Sequence, residues 1–355
     1  MAPQISLIDF SGFYSQDPAA KQKIVDQVRQ SCSYNGFFQV INHGVTADQS
    51  RTAMNLAKKF FDLPQESKDK VRKENNTWNR GYEMMRSQIL EAGTNPELKE
   101  GFYIGDEIPE SHPYFVHKKL NSGPNQWPQD MQDMSPQEFS QTAMEYYHAV
   151  LKLASDLLKV LALSLDLDED YFVQFMDGAV ATMRLLHYPT QPKDADDKLT
   201  RGIGAHTDFG AITILLQDEV DGLQVWDANS GGWIDVRAGC RSNRGAFVVT
   251  LGNLMQRWTN EKYKSNIHRV INKSGRERYS IPFFVSGNPD YVVDCILTCK
   301  AAEEETKFPP ITVERAVMAG YAESYGRAQM YKQGLAEAGQ EALSAKSVPV
   351  VTSSA

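Results

Sequence analysis

Cysteine is scarce in this chain, with four residues among 355, at Cys32, Cys240, Cys295 and Cys299. They are too few and too scattered for a disulfide framework. Cys295 and Cys299 lack the second Cys or His pair that would complete a zinc site, so they read as structural thiols. No run of about 18 uncharged apolar residues occurs, which argues against a membrane-spanning helix. The opening residues Met1 to Phe10 have neither a basic n-region nor an apolar h-region, so the expectation is a cytoplasmic protein. Basic stripes are missing too. The net charge is -8, which argues against nucleic acid or an anionic membrane as partner. No internal repeat and no domain linker divides the chain, and a monomer or weak oligomer is expected.

What is present falls into a sequence of textures. Residues 1–120 begin with two short amphipathic patterns, around Ile24, Val25 and Val28 and from Ala53 to Phe61, the second stopping before Pro64. Between them Gly36 to Val45 reads as a buried strand ending in a turn. The stretch from Lys68 to Pro128 is polar, rich in Gly, Pro and Asn, and poorly periodic, so it reads as long substrate-facing loops with a few short elements. Residues 121–178 contain a long helix announced by Ser135 as N-cap, Pro136 at the first position and Glu138 closing a capping box. Its apolar positions recur at helical spacing and should back a sheet. Residues 179–290 change to short β-rich runs separated by turn residues, such as Leu185 to Tyr188, Ala211 to Gln217 and Ala246 to Leu251. Strands at this density suggest a sandwich or jelly roll. Residues 291–343 carry a last helix from about Thr312 to Leu335, and 344–355 read as a disordered tail. The fold class is therefore mainly β with flanking helices.

Within the β-rich part, Gly204-Ala205-His206-Thr207-Asp208-Phe209-Gly210 holds a His-x-Asp pair, and Asn266-Ile267-His268-Arg269-Val270 supplies a third ligand type. On extended chain, residues two apart share a face, so His206 and Asp208 can point at one ion. Two imidazoles and a carboxylate cap one face of an octahedral Fe(II), leaving open positions for a co-substrate and O2. The pair alone is a weak signal. It gains weight from Arg278-Tyr279-Ser280, where a guanidinium and a hydroxyl project together as a carboxylate clamp.

An ordered set of motifs adds to this: Ile5 to Phe10, Gly36 to Val45, Asn79-Arg80-Gly81-Tyr82, Leu98 to Phe102, Leu185 to Pro189, Gly222 to Val225, Gln256 to Asn260, and the three segments above. From about Ile5 to Ser324 the chain resembles the Fe(II)- and 2-oxoglutarate-dependent oxygenases of the isopenicillin N synthase-like group. That resemblance implies a double-stranded β-helix (jelly roll) core, formed by 179–290, with 1–120 as the N-terminal dioxygenase region and the whole as one catalytic unit. It implies His206, Asp208 and His268 as iron ligands, and Arg278, Ser280 and Tyr188 around the distal carboxylate of 2-oxoglutarate. The implied reaction uses Fe(II), 2-oxoglutarate and O2 to hydroxylate, desaturate or cyclise a small molecule, expected to be a specialised metabolite, with release of succinate and CO2. The alternative is an oxidase of the isopenicillin N synthase kind, which forms a ring on an amino-acid or peptide substrate without 2-oxoglutarate. Two departures stand out. Asn253 occupies a position where relatives commonly carry Asp, and Leu186 stands where plant relatives carry Asn.

Substrate contacts are expected from Arg80 and Tyr82 in the irregular region, from Thr182, where isopenicillin N synthase places a substrate-contacting hydroxyl, and from Phe284, which alternates with Arg278 and Ser280. The remaining histidines read as structural. His43 belongs to a turn, His187 to the face of its strand opposite Tyr188, and His112, His117 and His148 lack partners.

Overall fold

A computed structural model describes residues 5–191, 195–196, 198–237 and 245–346, with side chains described as far as 333. Alternation along the strands explains its layering. Odd-numbered Met183, Leu185, Tyr279, Ile281, Phe283, Phe247 and Val249 join a large core shared with helices. Their even-numbered neighbours Leu186, Tyr188 and Val248 join a smaller core on the opposite face. Period-2 geometry thus gives each strand two destinations, and strands buried on both faces need apolar residues at nearly every position.

The strands are Ser6–Asp9 (β1), Phe37–Ile41 (β2), Gly81–Glu83 (β3), Glu100–Gly105 (β4), Val180–Tyr188 (β5), Ile203–His206 (β6), Ile212–Gln217 (β7), Leu223–Asp227 (β8), Gly232–Asp235 (β9), Phe247–Leu251 (β10), His268–Val270 (β11), Arg278–Gly287 (β12), Val292–Val293 (β13) and Ile311–Thr312 (β14). The major sheet runs β1-β2-β10-β7-β12-β5-β4-β3 and the minor sheet β6-β11-β8-β9. All pairs are antiparallel except β1 with β2. Two sheets enclosing the smaller core make the expected jelly roll. The helices Pro18–Tyr34, Ala47–Phe61 and Pro136–Ser164 pack on the outer face of the major sheet.

The 29-residue Pro136–Ser164 helix starts as its sequence dictates. Ser135 Oγ accepts from the Glu138 amide, and Glu138 returns a carboxylate to the Ser135 amide at 2.7 Å. Its apolar stripe, including Phe139, Tyr147, Val150 and Leu157, is fully buried, and Tyr147 donates to the Ala181 carbonyl on β5.

Three expectations need correction. Lys68 to Pro128 holds the few short elements expected, β3 and β4 among them, but several of its charged residues are interior: Lys68, Arg80, Glu83, Glu97, Lys99 and Glu100 are buried. Apart from Arg80, these charges can enter the interior because they meet opposite charges there, for example Lys68 with Glu100 at 3.0 Å and Lys99 with Glu83 at 3.2 Å. The strand Ile203–His206 carries too little periodicity to be read from sequence. The last helix extends over Val313–Lys346, beyond Leu335. Residues 347–355 of the expected tail, and Cys240, lie outside the described residues.

Replacing Ser135 by Ala removes one half of the capping box. The expected cost is about 1 kcal/mol, to be read as a lower urea midpoint with unchanged slope.

Candidate active site

The minor sheet ends where the site begins. His206 is the last residue of β6 and lies opposite His268 on β11 in register, which brings the two rings to a centroid separation of 4.3 Å. The chain then leaves the minor sheet, and Asp208 sits in the crossover to β7. His206 and Asp208 therefore do not share one strand; the face argument holds only across the strand end. His206 Nε2 and His268 Nε2 each lie 3.7 Å from Asp208 Oδ1. The three residues offer ligand atoms all within 4.8 Å of one another.

Hydrogen bonds fix which nitrogen faces the centre. His206 Nδ1 lies 2.8 Å from the Gly204 carbonyl, and His268 Nδ1 lies 3.2 Å from that of Asn266. A carbonyl only accepts, so each Nδ1 carries the proton and each Nε2 presents its lone pair. Burial, followed by repulsion from the His268 ring, pushes the His206 imidazole well below its usual range, which keeps it neutral and ligating. Asp208 Oδ2 is buried with no hydrogen-bond partner. Such an oxygen is costly unless a cation meets it, so the donor set fits a divalent metal of the Fe(II) type.

The crossover is gripped from behind. The amides of Gly252, Asn253 and Leu254 donate to the carbonyls of Ala211, Asp208 and Gly210 at 2.8, 2.8 and 3.1 Å. A Cβ on Gly252 would lie 2.1 Å from the Gly210 oxygen, so only glycine permits this approach. Asn253, the departure from the common Asp, accepts from Ser265 Oγ and is not among the converging groups.

The triad lines a cavity whose wall is built from even-numbered residues of β5, β10 and β12 and odd-numbered residues of β7. Arg278, Ser280, Tyr188 and Phe284 are all on its wall. Arg278 is fully buried, donates through Nη2 to Gln217 at 2.8 Å, and lies 4.8 Å over the Tyr188 ring. Its Nε and Nη1 have no partner. Ser280 Oγ lies 3.4 Å from the Tyr188 hydroxyl. An unfilled guanidinium fork beside two hydroxyls suits a carboxylate.

Arg80, Tyr82 and Thr182 are not on this wall. Arg80 turns to a separate cavity with Asp106, His112 and Asn121. Tyr82 donates to Glu100 at 2.6 Å, and Thr182 accepts from Asn121 at 3.3 Å. Tyr82 thus builds the wall from behind, its hydroxyl taken by Glu100, whereas Arg80 Nε and Nη1 are buried without a partner beside the second cavity. Two charged wall residues, Lys99 and Arg184, are not among the site residues expected from sequence. Arg184 was within reach of the alternation rule, since it precedes Leu186 and Tyr188 on the same face. Lys99 carries no such signal. Both meet the buried Glu83 carboxylate, which also accepts from Lys73, Tyr103 and Tyr325. Burial opposes ionisation of Glu83, but Lys73, Lys99 and Arg184 outweigh it and hold the carboxyl well below its usual range. His187 points away, to Glu100 at 2.8 Å, and stacks on Tyr279. His43 faces the Gly245 carbonyl at 3.0 Å.

Known proteins with the same pattern are numerous. Residues 179–287 match the family described as the 2OG-Fe(II) oxygenase superfamily, and residues 5–130 match the non-haem dioxygenase in morphine synthesis N-terminal family. The 2-oxoglutarate-Fe(II) type oxidoreductase hxnY of Emericella nidulans is 60% identical over 338 residues, 95% of either chain. A 2-oxoglutarate-Fe(II) type oxidoreductase of Aspergillus fumigatus is 45% identical, covering 93% of this chain and 96% of its own. Among solved structures, a full-length Neurospora crassa protein in complex with alpha-KG is similar with a TM-score of 0.77 at 29% identity, covering 90% of this chain and 96% of that one.

Gly252→Ala should displace the Asp208 crossover while leaving both histidines in place. Fe(II) titration is expected to show roughly 10- to 100-fold weaker binding, and unchanged affinity would mean that the crossover yields without cost.

Proposed function

The chain belongs to the 2OG-Fe(II) oxygenase superfamily and is a 2-oxoglutarate-dependent dioxygenase, and on that premise we propose that His206, Asp208 and His268 hold the iron while Arg278, Ser280 and Tyr188 hold the distal carboxylate of 2-oxoglutarate. The observation that carries this is the coincidence of unsatisfied atoms. Asp208 Oδ2 and two nitrogens of Arg278 are buried without partners, in residues that line one cavity. Bound there, iron and 2-oxoglutarate would supply O2 activation coupled to release of succinate and CO2. The alternative of an oxidase independent of 2-oxoglutarate is not favoured, since both relatives above are named for it.

The chain's own residues do the rest. Carbonyls of Gly204 and Asn266 orient the two imidazoles, so that both lone pairs aim at one point. Arg278 meets the carboxylate end of the co-substrate, with Gln217 holding the guanidinium in plane. Leu186, Leu215, Val248 and Val270 give the cavity apolar walls, which exclude water and strengthen that ion pair. An enclosing wall of apolar side chains with a few convergent polar groups is the usual lining of a small-molecule site, which supports a small molecule as the substrate; Phe284 is the predicted contact that lies on this wall.

We read the protein further as cytoplasmic and as a monomer or weak oligomer acting apart from nucleic acid, the last supported by its net charge of -8. No helix among the described residues is long and apolar enough to cross a membrane.

His268→Ala should fold, shown by an unchanged circular dichroism spectrum, yet form no succinate from 2-oxoglutarate; appreciable turnover would overturn the ligand assignment. Arg278→Ala removes a charge-assisted clamp worth about 1.5–3 kcal/mol, so the KM for 2-oxoglutarate should rise roughly 10- to 100-fold. An unchanged KM would move Arg278 to a substrate role.

A further inference from the structure

The wall of the cavity carries charge that the iron and 2-oxoglutarate do not need. Iron(II), the Asp208 carboxylate, the 2-oxoglutarate dianion and the Arg278 guanidinium cancel one another. Lys99 and Arg184 remain, both on the wall next to Leu90 and Phe284. Three basic side chains, Lys73, Lys99 and Arg184, share two buried carboxylates, Glu83 and Glu97. Positive charge is therefore in excess on this wall.

The hydrogen bonds are also incomplete. Glu83 is saturated, receiving Lys73, Lys99, Arg184, Tyr103 and Tyr325. Arg184 donates through Nη2 to it at 3.0 Å, yet Arg184 Nε is buried with no partner. Arg184 is further fixed over the Tyr103 ring at 4.2 Å and lies 5.8 Å from the Phe284 centroid. Lys99 reaches Glu83 and Gln88 at 3.2 and 3.1 Å. A held guanidinium and ammonium beside an aromatic ring, lining the same cavity as the metal ligands, form a receptor for an electron-rich oxygen.

We infer that Arg184 and Lys99 form the subsite that selects the substrate, a small, largely apolar ring compound whose carboxylate or carbonyl oxygen they bind, with Phe284 against the ring. This rests on the iron and 2-oxoglutarate assignment above. Anchoring one end of the substrate at Arg184 presents its other end to the metal side of the cavity, which sets the carbon that is oxidised.

The test uses anaerobic protein loaded with Fe(II) and saturating 2-oxoglutarate, so that Arg278 is already engaged. The 2-oxoglutarate charge-transfer absorption of the wild type checks the premise by itself: if it does not form, the iron and co-substrate assignment fails whatever Arg184 does. Benzoate, benzamide and toluene are then titrated by calorimetry and by their effect on that absorption. Benzoate is expected to bind saturably and toluene at least tenfold more weakly; benzamide binding close to benzoate identifies a carbonyl, and weaker binding identifies a carboxylate. Arg184→Gln should weaken benzoate roughly tenfold or more, and Arg184→Lys, which keeps Glu83 paired and guards against misfolding, should fall between. Toluene binding as tightly as benzoate, no saturable benzoate binding, or wild-type benzoate affinity in both variants would overturn the proposal.

Discussion

The site depends on one backbone contact: the crossover from β6 to β7 laid against the Gly252–Leu254 segment. Three amides there take the carbonyls of Asp208, Gly210 and Ala211, and the absence of a side chain at Gly252 lets the two backbones meet. The carboxylate ligand is thereby placed by main-chain hydrogen bonds, without help from a partner for its outer oxygen. The histidines are placed by strand pairing, through the register of His206 with His268. A rigid loop and a rigid ladder together define a three-atom face, and a metal that binds there need not reorganise either.

Alternation made much of this legible. Arg278, Ser280 and Phe284 line the cavity because they are even-numbered on one strand, and His187 turns away because it is not. The capping box at Ser135 and Glu138 forms as its residues dictate. What sequence patterns could not show is the inward course of Lys68 to Pro128. Composition marks Lys99, Glu83 and Glu97 as polar, and polar residues are read as surface unless their partners are known. Those partners are remote: Arg184 and Tyr325 lie 101 and 242 residues from Glu83. Arg80 and Tyr82 are expected in the substrate pocket from the family resemblance, yet Tyr82 is tied to Glu100 behind the wall and Arg80 lines a second cavity.

A buried cluster of this kind is a poor source of net stability, because desolvation offsets most of its attraction. Removing one member is far costlier than never having had the cluster, about 3–5 kcal/mol for a pair in general. The arrangement is therefore better explained by what it presents than by what it stabilises. Glu83 pairs with two cations on the cavity wall, and its Oε1 also accepts from Tyr103 and Tyr325.

Tyr325 comes from the last helix, Val313–Lys346. Gly320 of the same helix sits against the Phe209 ring, next to Asp208, where a Cβ would lie 2.5 Å from ring carbons. Contacts behind the Arg184 and Asp208 sides of the cavity thus wait on a segment that follows all the described strands in the chain. A nascent chain can pair β5, β7 and β12 and still have a wet, unfinished pocket until this helix docks. Synthesis order itself would then delay oxygen chemistry until the helix is in place.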